Sequence, residues 1–216
     1  VRVEVWSDVV CPWCYLGKRR LEAALARFEH RDEVEVVWRS FELDPSAPPH
    51  REGTPAEHLI AKYGMSREQV EAAWERLTAL AEADGLEYHL DRTHSGSSFD
   101  AHRLAHLAGT HGLAGEMTER LFRGYFTASV PIGDPEALAR LAEDAGLPAD
   151  EVADVLAGDR FADEVRADER RAQGFGITGV PFFAIDARYG VSGAQSADAL
   201  LEALTRSWAE REPVAS

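Results

Sequence analysis

The sequence predicts an α/β protein: a four-stranded mixed sheet with helices against it, interrupted by a large all-helical insertion. Three observations carry this. Strand-like apolar runs lie near the two ends, around Val1–Trp6, Val34–Trp38 and Phe182–Ile185. Between about residues 54 and 173 the apolar period is helical throughout. The resulting order, β-α-β, helical block, β-β-α, completes a sheet only if both flanks contribute to it. Residues 1–53 and 174–216 are therefore expected to form one domain and residues 54–173 a helical domain inserted in it.

Each element has a local reason. Val1, Val3 and Val5 alternate as a strand, and the helix after it runs from about Pro12 to His30, with Leu21, Leu25 and Phe28 on one face. Val34, Val36 and Trp38 form a second strand ending near Phe41. The breaker-rich stretch from Asp44 to Gly53 is a loop. Thr54-Pro55-Ala56-Glu57 is a capping box with proline at the first helical position, and Gly64 ends that helix. Ser66 opens another, with Val70, Trp74, Leu77 and Leu80 as its apolar face and Gly85 past its end. Further helices are read over Ser98–Thr110, Ala114–Thr127, Asp134–Ala145, Pro148–Ala157 and Arg160–Gln173. Phe182–Ile185 is a strand, Asp186-Ala187 a turn and Tyr189–Val191 its hairpin partner. Ser196 caps a last helix carrying Leu200, Leu201, Leu204 and Trp208.

Chemistry concentrates at Cys11-Pro12-Trp13-Cys14. Strand, turn and helix around it put the Cys11 sulfur at a helix N-terminus, where unpaired N–H groups and the helix dipole stabilise a thiolate. Cys14 follows one turn inside, near enough to close a disulfide with Cys11. Structural zinc needs four ligands, and both cysteines of this chain are already in the motif. A disulfide closing so small a loop would add little chain-entropy stabilisation. The pattern points to thiol–disulfide exchange, with Cys11 attacking and Cys14 resolving.

Composition narrows the class. The 38 acids outnumber the 23 bases for a net charge of −15, which argues against nucleic acid and anionic membranes as partners. No stretch approaches the apolar length of a membrane span. Two cysteines, both in the redox motif, fit a reducing cytoplasm. Oligomeric state leaves no signal here.

Further segments carry a family resemblance. Gly176-Ile177-Thr178-Gly179-Val180-Pro181-Phe182-Phe183 looks like the cis-proline segment that precedes the third strand of thioredoxin-fold proteins. A helical insertion between the two thioredoxin halves resembles the DsbA family. Ser7-Asp8 before the cysteines, Phe41-Glu42-Leu43-Asp44-Pro45, Ala101-His102-Arg103-Leu104 and Val191-Ser192-Gly193-Ala194-Gln195 resemble its FrnE-like branch. That branch is similar to 2-hydroxychromene-2-carboxylate isomerases and kappa-class glutathione transferases, which generally carry serine where Cys11 stands.

The resemblance implies a thioredoxin fold of the DsbA kind and a thiol–disulfide oxidoreductase using Cys11, Cys14 and Pro181, with a cis Val180–Pro181 bond. It implies protein or small-molecule thiols and disulfides as partners. No tightly bound cofactor is expected, although the relatives leave room for glutathione as co-substrate. Pro12, Trp13, Val180 and His102 are the expected substrate contacts. The rival reading is a glutathione-dependent isomerase or transferase of a small aromatic molecule, which having cysteine at position 11 disfavours. His102 and His106 are four apart with His111 nearby, but they lack the glutamate of the zinc-protease motif, so no metal is assigned. Trp38, Phe41, Phe99, Phe122 and Phe126 are read as core by default. Ser7 is read as a turn residue. Asp8 would oppose a thiolate if it pointed inward.

Overall fold

Strand β1, Arg2–Ser7, lies inside the sheet of the computed structural model, which describes Val1–Arg211. The strand order is β2-β1-β3-β4, where β2 is Glu35–Ser40, β3 Phe182–Ile185 and β4 Tyr189–Ser192. β1 pairs parallel with β2, Val5 opposite Trp38, and antiparallel with β3, Val5 opposite Phe183. The parallel pair needs a crossover, supplied by helix α1, Pro12–Arg27. β3 and β4 form a hairpin whose Asp186 and Ala187 take φ of 49° and 52°, the positive dihedrals of a tight turn.

One face of the sheet carries Val3, Val5, Phe183 and Ile185 against Leu21 of α1 and Leu200 and Leu204 of α9, Ala197–Ala209. The other carries Trp6 and Ala184 against Ala172 of α8, Ala162–Gly174. Both faces are therefore covered, and Glu4, which the β1 alternation places beside Trp6, is buried. Its carboxylate accepts from Arg39 Nε at 2.9 Å and Arg171 Nη2 at 2.6 Å. Asp168 of α8 accepts from Arg39 Nη1 at 2.9 Å and from the Ser40 N–H at 3.0 Å. Helix α8 thus docks on the sheet through a buried ionic plug as well as apolar contact.

The other inserted helices are α2 Pro55–Tyr63, α3 Arg67–Ala83, α4 Phe99–Thr110, α5 Ala114–Phe126, α6 Pro135–Asp144 and α7 Ala149–Ala157. Both capping boxes form, Thr54 with Glu57 and Ser66 with Gln69. The insertion core extends to α1: Cys14, Tyr15 and Leu16 belong to the same apolar cluster as Leu104, Phe122 and Phe126. Phe122 and Phe126 are core, as expected for aromatics at helical spacing.

Two details differ from the sequence reading. The first helix ends at Arg27 rather than near His30, because Phe28 turns extended and packs its ring edge-on against Trp208. On α3 the buried face is Val70, Leu77 and Ala81, while Leu80 is exposed. Residue 81 continues the four-residue step from 77, and 80 falls off that line.

Candidate active site

The turn after β1 sets the geometry. The Cys11 N–H donates to the Asp8 carbonyl at 3.0 Å, and the Cys14 N–H to the Cys11 carbonyl at 2.9 Å. Cys11 is the N-cap of α1, Pro12 occupies the first turn, and no acidic side chain lies in that turn. Both thiols are reduced and buried, Cys11 4% exposed and Cys14 1%. Burial and the adjoining Cys11 push the Cys14 thiol well up. Trp13 is exposed between them and Pro12 half-buried. Tyr88 donates its hydroxyl to the Pro12 carbonyl at 2.6 Å, while Tyr15 stacks on Phe122 with centroids 5.0 Å apart. These aromatics lock the reactive turn to the insertion, a role the sequence left unmarked.

The second half of the site arrives with β3. The Val180–Pro181 peptide bond is cis. The Cys11 Sγ–H lies 3.5 Å from the Val180 carbonyl oxygen and can donate to it. Gly17 sits directly under this segment: a Cβ there would lie 2.9 Å from Pro181 Cγ and 3.2 Å from Phe183 Cζ. Gly17→Ala, ordinarily favourable within a helix by about 1 kcal/mol, should here part α1 from the proline segment. We expect kcat/KM for disulfide exchange to fall about tenfold, with helix content retained by circular dichroism. Wild-type turnover in that variant would show that the spacing is not critical.

Asp8 does point inward. Its carboxylate accepts from the Leu43 N–H at 2.7 Å and the Val10 N–H at 3.4 Å. His102, 5% exposed, approaches it with Nε2 3.5 Å from Asp8 Oδ1. The contact forms no hydrogen bond, and Nε2 is buried without a partner. His102 therefore sits in the interior beside Asp8. His106 instead faces Asp168 at 3.1 Å, and His111 faces Glu151 at 3.1 Å, so each of the three histidines meets a different carboxylate. Ser7 is the last residue of β1 rather than part of the turn, 7% exposed, and its side chain favours the Cys14 thiolate.

The sequence profile of the DSBA-like thioredoxin domain matches residues 2–205. The chain belongs to that family. Its fold is the DsbA-like thioredoxin fold with a helical insertion. A probable DsbA oxidoreductase from Streptomyces coelicolor is 51% identical and superposes with a TM-score of 0.94, covering 100% of this chain and 93% of that one. The cytosolic disulfide reductase DsbM from Pseudomonas aeruginosa, solved with GSH, shares the fold at 17% identity and TM-score 0.68, with 97% and 100% of the chains covered. A 2-hydroxychromene-2-carboxylate isomerase shares it at 15% identity and TM-score 0.71, with 95% of each chain covered. This DsbA-like chain is a thiol–disulfide oxidoreductase.

Proposed function

We propose that Cys11 and Cys14 are the redox pair, that the Val180 carbonyl and Pro181 frame the attacking sulfur, and that Pro12 and Trp13 meet the substrate. The observation that carries this is the Cys11 sulfur at the start of α1, 3.5 Å from the Val180 oxygen. A helix N-terminus favours the thiolate that attacks, and the main chain before Pro181 is a docking edge for an extended substrate. Residues 1–53 and 174–216 supply this chemistry, and the 54–173 block walls it. Cys11 is only 4% exposed, which favours slender partners: small disulfides such as oxidised glutathione, or unfolded peptide segments. A cytoplasmic setting and FrnE-like affiliation belong to the same reading. They are supported by the absence of other cysteines and the match of segments such as Ala101-His102-Arg103-Leu104.

The test compares three reactions at equal enzyme: reduction of oxidised glutathione, reduction of insulin, and glutathione-dependent isomerisation of a hydroxychromene carboxylate. We expect glutathione disulfide to react fastest, insulin more slowly, and the isomerisation to stay at background. Isomerisation without disulfide exchange would replace this reading by the isomerase one.

A further inference from the structure

Resolution of the mixed disulfide requires Cys14 to lose its proton in a nearly closed interior, since the residue is 1% exposed. A buried thiol cannot hand that proton straight to bulk water. The groups around it are few. The Ser7 side chain and the Asp8 main chain are the polar groups beside it that favour its thiolate. Ser7 also lines a small, partly open cavity of about 30 Å³, which it shares with His102, Ser40 and His106. That volume holds one water, and these four residues supply its polar partners. His102 itself carries the buried, unpartnered Nε2, 3.5 Å from Asp8 Oδ1. A buried polar atom without a partner is costly, and here it faces the carboxylate nearest the redox turn.

We propose that His102, backed by Asp8, takes the Cys14 proton in the resolving step, through the Ser7 hydroxyl and a water in this cavity. This rests on the redox reading above. In the mixed disulfide, Cys11 is bonded to the substrate sulfur and Cys14 is a thiol. The Cys14 proton passes to neutral His102, leaving a thiolate beside an imidazolium that Asp8 neutralises. The thiolate forms the Cys11–Cys14 bond and expels the substrate thiolate. Two electrons have then passed from the dithiol to the substrate disulfide, and His102 returns its proton to the leaving thiolate or to solvent.

The surroundings suit His102 to this. Burial lowers its proton affinity, but Asp8, Glu42 and Glu169 together raise it above the ordinary histidine value. Asp8 comes from the turn after β1, Glu42 from the loop after β2, and Glu169 from α8. Arg166 binds Glu42 at 2.5 Å and Glu169 at 2.7 Å and offsets part of that field. Arg39 lines the same cavity, Tyr125 lies near Asp8, and His106 on the same helix is engaged by Asp168 and Ser40. A base whose proton affinity is raised by facing carboxylates is suited to take a thiol proton.

The experiment uses a symmetric nitrobenzoate disulfide, which yields one coloured thiolate when Cys11 attacks and a second when Cys14 resolves. Stopped-flow separates the phases between about pH 5 and pH 10. In His102→Gln we expect the second-phase rate, relative to the first, to fall about tenfold or more near neutrality. Its pH inflection should move toward the alkaline titration of Cys14. Asp8→Asn keeps an acceptor for the Leu43 N–H and should give a smaller shift the same way. Unfolding would expose both thiols to the reagent and remove the thermal transition, so a selective loss of the second phase in a variant that keeps that transition is not a folding effect. If the second phase and its pH profile are unchanged in both variants, or if both phases slow equally in folded protein, the proposal fails. If wild-type protein releases no coloured thiolate, the redox reading fails and takes this with it.

Discussion

Cys11→Ser should abolish disulfide exchange, a loss of about a thousandfold or more, because serine has no base beside it to replace a thiolate at the α1 N-cap. Cys14→Ser should behave differently. Cys11 still attacks, expels one thiolate and forms the mixed disulfide, but nothing resolves it. Incubation with oxidised glutathione should therefore leave one glutathione per chain by intact mass, removable by dithiothreitol. The proposed roles rest on where each sulfur sits. Cys11 is at the helix end against the Val180 carbonyl, while Cys14 is inside, its thiol pushed up by burial and by Cys11. A Cys14→Ser protein that turned over at the wild-type rate, or a Cys11→Ser protein that formed the adduct instead, would reverse the assignment.

Glu4→Ala should be the most destabilising single change outside the site. It removes the carboxylate that holds both Arg39 and Arg171, leaving two guanidinium groups at the seam between sheet and α8. Breaking a buried pair costs about 3–5 kcal/mol. The partial exposure of both arginines, 21% and 43%, puts this case near the lower end. A loss of about 3 kcal/mol lowers Tm by about 6–12 °C in a chain of this size. The same carboxylate gives the pH dependence its sign. Burial pushes Glu4 up, but the two arginines outweigh it and hold its pKa below the ordinary value. Its contribution is therefore complete above the unfolded carboxylate range and lost as pH falls through the lowered folded value. Wild-type Tm should drop steeply below about pH 4.5, and Glu4→Gln should drop less over that interval. Parallel acid profiles for the two proteins would remove Glu4 from the explanation.

Much of this architecture is written locally. Thr54, Ser66, Asp134 and Ser196 announce helix starts, and all four side chains accept the capping hydrogen bond. The strand, turn and helix around Cys11 and Cys14 are equally legible, and the chain forms them in that order. What escapes a single sequence is anything formed by segments far apart. Glu4 reads as the outward member of an alternating strand, yet α8 covers it from more than 160 residues away. The Asp8–His102 approach joins a turn to a helix 94 positions on. Tyr88 reaches Pro12 from the α3–α4 connection. In each case the spacing along the chain is arbitrary and only the packing makes the pair. The Val180–Pro181 segment is intermediate: its residues are ordinary in isolation and informative only through likeness to relatives.

The strand register carries a consequence for synthesis. β1 and its partner β3 are separated by the whole helical insertion, Trp6 pairing with Phe182. A ribosome adding about 5–20 residues each second needs roughly ten seconds or more to make that stretch. During this interval the emerging chain presents Cys11 and Cys14 with β1 flanked on one side only, and without the carbonyl that will face the sulfur. The nascent protein is thus a dithiol before it is an enzyme. Its own cysteines are open to capture by cellular disulfides until the last fifth of the chain, with Val180 and β3, arrives to complete their enclosure.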